Sequence, residues 1–324
     1  MSTKEELFPY RIPVTVVTGE IESGKTLLIL TTGYPQERIL LYDNEQSSAV
    51  YQKNFGFTRV DLVQEMTYRQ EEKLAKLGDR AKESDKTWTN QEFYLAWLGH
   101  MQAIKPGTYD VIGVDPAERI ESGLADWVWA HPINGHNITQ YQKMSGMYWG
   151  DVKDLWGRHI LEMTGKAKMV FITMHMRNVY EGNKPIPGKR ERKGKDTLSE
   201  LATLELELVR KPGMVLPAAK VIKTRLVYGS DPSNLKPMFD PYINPFTWDR
   251  VREYMLKGAD PENLVLPPEP TEEEKRLHEL ELKATIAAAK LADVDTSGDR
   301  NRCPECGAAV PAGKPGHRPG CPNG

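Results

Sequence analysis

Cysteine is scarce in this chain: three of 324 residues, all within the last 22 positions. An odd count gathered at one end is not a disulfide framework. An excess of charge of either sign is also lacking, since 43 Lys and Arg face 45 Asp and Glu for a formal net charge of -2. A broadly basic nucleic-acid coat is thereby excluded, and any polyanion site has to be local. Long apolar runs are missing too: no stretch of about eighteen apolar residues occurs, and positions 1–6 lack the basic and apolar regions of a signal peptide. The expectation is a soluble cytoplasmic protein that does not enter a membrane. What the chain does hold is aromatic area. Seven Trp, thirteen Tyr and seven Phe supply a packed core and exclude wholesale disorder. The length fits a main domain with a small appendage.

The three cysteines belong to the run Cys303-x2-Cys306-x10-His317-x3-Cys321. Three thiolates and an imidazole are the donors that tetrahedral zinc selects, and this set uses every cysteine in the protein. Pro304, Pro311, Pro315 and Pro319 leave little scope for helix or strand, so a metal would have to order the segment. With no open coordination position, the expected zinc site is structural or partner-binding. A disordered tail with incidental thiols is the alternative.

Two breaks divide the rest. Residues 231–270 are rich in Pro and Asn with little periodicity, which suggests an extended arm on the core. A helix is expected from Thr271 to Ala292, where Thr271 can cap and Glu272, Glu273 and Glu274 fill the first turn. A polar linker then leads to the zinc module, giving a core at 1–230, an arm at 231–270, a helix and linker at 271–300 and the module at 301–324. Within the core, apolar strands alternate with helices, the pattern of an α/β fold with a mostly parallel sheet. Strands are expected at Val14–Thr18, Ile39–Tyr42, Val111–Val114, Met169–Thr173 and Ala219–Val227.

The first strand runs into Gly19-Glu20-Ile21-Glu22-Ser23-Gly24-Lys25-Thr26 and then an apolar helical stretch, which is G-x4-G-K-[ST] in its required context. The glycines let backbone N–H groups converge on a phosphate, and the following helix start adds its dipole. Lys25 would neutralise the β and γ phosphates, and Thr26 would place its hydroxyl on Mg2+. The strand over Val111–Val114 ends in Asp115, the expected partner of that Mg2+. A guanine reader of the Asn-Lys-x-Asp type is lacking, since Asn183-Lys184-Pro185-Ile186 has no Asp, so ATP is the expected nucleotide. Hydrolysis needs a base to orient water. Pro116 occupies the position after Asp115, so another strand end must supply it: Glu45 is the first choice, with Glu118 and Asp43 as fallbacks.

This arrangement resembles the RecA-like P-loop ATPases, in particular phage-encoded recombination and single-strand-annealing members. The resemblance spans roughly residues 10–230 and rests on short motifs. It implies that Asp43-Asn44-Glu45 is the family's Asp-x-Glu with Glu45 as catalytic base. It implies further that the strand ending in His175 is the sensor strand, which feels the γ phosphate and signals to a DNA-binding loop. Lys223 and Arg225 resemble the Lys-x-Arg element with which hexameric RecA-like and DnaB-like motors reach a neighbouring subunit's nucleotide; a charged edge strand is the other reading. A homo-oligomer, ring or filament, follows from the same resemblance.

The polyanion candidate is residues 184–195, with Lys184, Lys189, Arg190, Arg192, Lys193 and Lys195 against one acid. Its Pro and Gly residues suggest a flexible loop or loose hairpin that tracks phosphates without reading bases. Its place after the sensor strand is where the resemblance puts the second DNA-binding loop. Of the aromatics, Trp127 and Trp129 are held open for stacking on unpaired bases. Val152, Leu155, Trp156, His159, Ile160 and Met163, like Phe93, Trp97, Met101 and Ile104, fall at helical spacing and are assigned to the core.

The expected protein is therefore a RecA-like P-loop ATPase with a C-terminal helix and a small zinc module, using ATP, Mg2+ and Zn2+. It would act on DNA, single-stranded for preference, in phage-type recombination or replication. A helicase or packaging motor on double-stranded DNA is the rival enzyme, although no nuclease signature accompanies it. An ATP-dependent switch that recruits a protein through the zinc module is the reading from a different class.

Overall fold

The computed structural model describes residues 12–82, 87–181, 184–193, 197–210, 216–228 and 235–258. The chain divides into two units, Met1–Val265 and Leu266–Gly324, and every described residue belongs to the first. The helix expected from Thr271 and the zinc ligands Cys303, Cys306, His317 and Cys321 lie outside the described residues.

In chain order the elements are β1 (Val14–Gly19), α1 (Lys25–Leu30), β2 (Ile39–Asp43), β3 (Thr58–Asp61), α2 (Leu62–Leu77), α3 (Asn90–Ala103), β4 (Val111–Asp115), α4 (Glu118–Ala130), α5 (Ile138–Lys143) and α6 (Ser145–Lys166). They continue with β5 (Met169–Glu181), β6 (Lys184–Arg192), α7 (Thr197–Leu201), β7 (Leu204–Val209), β8 (Ala218–Thr224), β9 (Val227–Tyr228), β10 (Lys236–Pro237), β11 (Tyr242–Ile243) and α8 (Trp248–Gly258). The sheet runs in the order β11-β8-β7-β1-β5-β4-β2-β3. From β7 to β3 every neighbouring pair is parallel, while β8 and β11 join antiparallel at one side. The α/β fold with a mostly parallel sheet read from the sequence is the one observed.

Both faces of the parallel strands are covered, which is why these strands read as continuous apolar runs. Alternate residues serve opposite cores. Val16, Tyr42, Val114 and Ile172 pack with α3, α4 and α6, while Val17, Leu41, Val111 and Phe171 pack with α1 and α8. The helix stripes form the first of these cores as expected. Phe93, Trp97 and Met101 are fully buried on α3, as are Trp156, Ile160 and Met163 on α6. Trp97 and Trp156 meet edge to face at 5.7 Å between ring centroids. Each such side chain contributes about 1.5–3 kcal/mol by burial. The start of α3 is set by a capping box between Thr89 and Glu92.

Three expectations need correction. Within the extended arm expected at 231–270, the described residues 235–258 are folded onto the core, while the rest lie outside the described residues: β11 pairs with β8, and α8 sinks Trp248, Val251 and Met255 into the second core. These fall at i, i+3 and i+7, an apolar stripe too short to stand out beside the prolines before it. Trp248 Nε1 also donates to the Leu28 carbonyl at 2.8 Å, so the core reaches at least to residue 258 rather than 230. Strand β7 was not foreseen, although Leu204, Leu206 and Leu208 alternate with acids and it lies directly beside β1. Finally, the strand expected at Met169–Thr173 extends far past Thr173 as β5, because its outer half pairs with β6 instead of a parallel neighbour.

Candidate nucleotide site

The parallel register brings the chemistry-bearing strand ends to one edge. Gly19 at the end of β1 pairs with His175 on β5, and Asp43 at the end of β2 pairs with Asp115 at the end of β4. The carboxyl ends of parallel strands are where ligands bind in open α/β sheets.

The phosphate loop leaves β1 at Gly19, where any Cβ would lie 2.4 Å from Ser23 Oγ. Gly24 holds φ at 96°, the left-handed conformation that favours glycine. Lys25 Nζ donates to the carbonyls of Gly19 at 3.1 Å and Glu20 at 2.7 Å, so the amine folds over the loop. Burial, its largest influence, holds Lys25 below the usual lysine range against the pull of Asp115, Glu118 and Glu45. Helix α1 spans only Lys25–Leu30, so its dipole is weaker than a long helix would give. The loop's donors therefore matter more. Ser23 Oγ is buried with no partner among the described residues, an orphan donor that a phosphate oxygen would satisfy.

Asp115 is almost wholly buried, and its two oxygens accept from different hydroxyls, Thr26 Oγ1 and Thr173 Oγ1. Burial pushes this carboxyl above its usual range, although both hydroxyls and Lys25 oppose it. A hydroxyl at the start of α1 hydrogen-bonded to a strand-end carboxylate is the donor set that Mg2+ takes beside a triphosphate, so Thr26 and Asp115 fit that ion. Thr173, read from the sequence only as a strand end, was detectable as a site residue because it is a hydroxyl inside the apolar run Met169–Met174.

The acids separate into roles. Asp43, a fallback base on sequence, is consumed: it accepts from the backbone N–H groups of Glu45, Ser47 and Ser48, from Ser48 Oγ, and from Arg59 Nε at 2.9 Å. It shapes the turn that presents Glu45. The Glu45 side chain is half exposed, and burial raises its pKa against the opposing effect of His175. Its Oε2 lies 3.4 Å from His175 Nε2. On the other side of that ring, Glu118 Oε1 accepts from His175 Nδ1 at 3.0 Å and from the His175 backbone N–H at 2.6 Å. Burial alone would raise the Glu118 pKa, but these donors together with the charge of His175 hold it below the usual range.

The basic segment is β6, which pairs antiparallel with the outer part of β5. Just past its end the chain joins His175 directly, since Lys193 N–H donates to the His175 carbonyl at 2.9 Å. Its cations do not all face outward. Arg190 pairs with Glu20 of the phosphate loop, and Arg192 pairs with the buried Glu205 at 3.1 Å. Lys184 and Lys193 are exposed, while the side chain of Lys189 and all of Lys195 lie outside the described residues. Lys223 and Arg225 sit apart from this cluster: Lys223 Nζ donates to the Ser199 carbonyl and Arg225 to the Glu200 carbonyl, both on α7 of the same chain. Trp129 is 40% exposed and packs on Tyr141 and Tyr148, whereas Trp127 is partly buried and stacks on His131.

No protein-family model matches the chain, and no curated protein matches it. Among solved structures, the RadB recombinase aligns at 14% identity and a TM-score of 0.32, over 66% of this chain and 82% of its own. A KaiC-like protein from Pyrococcus horikoshii aligns at 14% identity and a TM-score of 0.33, over 70% and 90%. The flagellar accessory protein FlaH from Methanocaldococcus jannaschii aligns at 13% and 0.32, over 66% and 79%. These likenesses are remote, and what the chain does has to be read from its own residues.

Proposed function

We propose that this chain is a RecA-like P-loop ATPase that grips DNA, single-stranded in preference, and alters that grip by binding and hydrolysing ATP in phage-type recombination or replication. The observation that supports it is the meeting of the loop Gly19–Thr26, the Asp115 carboxylate with its two hydroxyl donors, and Glu45 with His175 at one sheet edge. The loop amides and Ser23 Oγ hold the phosphates, and the Lys25 amine exchanges its carbonyl partners for them. Bound Mg2+ supplies neutralisation of the β and γ oxygens. Glu45 removes the proton of the attacking water; its raised pKa brings it nearer to working pH, as a general base requires.

The DNA reading is supported by the strand pair β5–β6, which begins where the His175 backbone ends its contact with the site. Lys184, Lys189, Arg190, Arg192, Lys193 and Lys195 are its proposed phosphate contacts. A cytoplasmic homo-oligomer belongs to the same reading, with Lys223 and Arg225 reaching a neighbour's nucleotide, and rings or filaments in electron micrographs would support it. Among the described residues no helix is long and apolar enough to cross a membrane. The module at 301–324 is proposed to hold one structural Zn2+ through Cys303, Cys306, His317 and Cys321, which equimolar zinc in a metal assay checks.

The deciding experiment is the ATPase rate with and without single-stranded DNA. Stimulation that disappears in Lys25→Ala is the expected result, and a rate indifferent to every nucleic acid refutes the DNA reading. That second outcome would select the ATP-dependent switch, which one observation favours: Arg192 is engaged with the buried Glu205 rather than with an outside polyanion.

A further inference from the structure

His175 is held between two carboxylates that do different things to it. Glu118 Oε1 accepts twice from the same residue, from the backbone N–H and from ring Nδ1. An ionised carboxylate only accepts, so Nδ1 carries the hydrogen and the ring is fixed in both rotation and tautomer. That leaves the Nε2 lone pair as the ring's acceptor, and it is the nitrogen 3.4 Å from Glu45 Oε2. The groups gathered around this contact are Lys25 from α1, Asp115 from β4, Glu118 from α4 and Glu45 from the turn after β2.

We propose that Glu118 and His175 form a relay behind Glu45, in which Glu118 is a positioning residue and His175 Nε2 receives the proton that Glu45 takes from water. The proposal rests on the hydrolysis reading above. As the water oxygen bonds to the γ phosphorus, its O–H bond breaks and the proton passes to the Glu45 carboxylate. The bond from the γ phosphorus to the β–γ bridging oxygen breaks, and its electron pair stays on ADP. Glu45 then hands the proton to the Nε2 lone pair. The resulting imidazolium keeps its Nδ1–H on Glu118, whose negative charge stabilises it, and afterwards returns the proton to solvent. This is the logic of a carboxylate behind a catalytic imidazole. Glu118 is not itself the base, because its Oε1 is engaged twice by His175 and its other oxygen, Oε2, is buried.

One consequence bears on signalling. With Nδ1 committed to Glu118, a neutral His175 has no ring donor to offer a phosphate. The ring gains one only after Glu45 delivers its proton, so the basic segment, attached at the His175 carbonyl through Lys193 just past β6, is informed after the chemical step rather than on ATP binding.

The test uses full-length protein labelled with nitrogen-15 at histidine, without added nucleotide, together with steady-state kinetics. The His175 signal, identified by its loss in His175→Gln, is expected to show the Nδ1–H tautomer. Glu118→Ala should abolish that preference and lower kcat by about 10- to 100-fold, the usual cost of removing such a supporting partner, with KM for ATP changed less than about twofold. Glu118→Gln keeps an acceptor but not the charge. It should retain the tautomer while kcat still falls by about tenfold, and it carries the test if the alanine chain does not fold. An Nε2–H tautomer in the unmodified protein, or unmodified kcat in Glu118→Gln, would overturn the relay. Turnover no higher than that of Lys25→Ala would overturn hydrolysis and relay together, while the nitrogen spectra would still report the Glu118 contact.

Discussion

Asp43 and Asp115 end neighbouring strands in register, yet their surroundings assign them opposite tasks. Asp115 accepts from the threonine hydroxyls of Thr26 on α1 and Thr173 on β5, whereas Asp43 is closed off by a turn and by Arg59. Asp43 is buried and the Arg59 side chain is only 10% exposed, so removing one partner strands the other's charge. Asp43→Ala is therefore expected to destabilise the protein by ~3–5 kcal/mol in urea unfolding, and to slow turnover by releasing Glu45. A loss below about 1 kcal/mol would mean that the pair behaves as a surface salt bridge. The sequence ranked Glu45 ahead of Asp43 as the base but showed no task for Asp43 other than that fallback. Which was spent and which was available depended on Arg59 arriving from the adjacent strand β3, sixteen positions away.

Helices α3 and α6 carry a second titratable group, and it is not part of the site. His159 is buried among Trp97 and Tyr94, with the Tyr94 hydroxyl 2.8 Å from its Nε2, and burial pushes its pKa down to about 3. The unfolded chain binds a proton near the ordinary pKa of about 6.5, while the folded chain does not until about 3. Stability is thus unaffected above that upper value and falls as pH drops through the interval, by up to ~1.4 kcal/mol per unit. His159→Gln should flatten that slope in chemical unfolding between pH 6.5 and 4.5; an unchanged slope would place the effect elsewhere. In the element β6, the same exposure argument separates the cations. Lys184→Ala with Lys193→Ala should lower the slope of log affinity for single-stranded DNA against log salt by roughly 1.4, about 0.7 per contact. Arg192→Ala should instead cost stability, because Glu205 is left buried and unpaired. An identical salt slope in the double lysine variant would remove both residues from the interface.

At the scale of the molecule, the boundary of the core is the sharpest difference from expectation. A chain ending at residue 258 is expected to unfold cooperatively near the temperature of the full protein, and one ending at 230 to be insoluble or unfolded, since Ile243, Phe246, Trp248, Val251 and Met255 all leave the second core. Circular dichroism melts of the two decide it, and a cooperative melt from the shorter chain would restore the boundary read from sequence. The phosphate loop, Asp115, the apolar strands and the helix stripes of α3 and α6 were legible in the sequence because each is a local pattern whose cause lies within a few residues. Strand β7, helix α8, the role of Glu118 and the pairing of Arg190 with Glu20 and of Arg192 with Glu205 were not, because each depends on a partner elsewhere in the chain. Sequence by itself determined the fold class and the chemistry available at the strand ends. Only the tertiary structure decided which acids face His175 and which cations are already paired. Parallel pairing sets distant residues side by side, and burial then makes their mutual hydrogen bonds count.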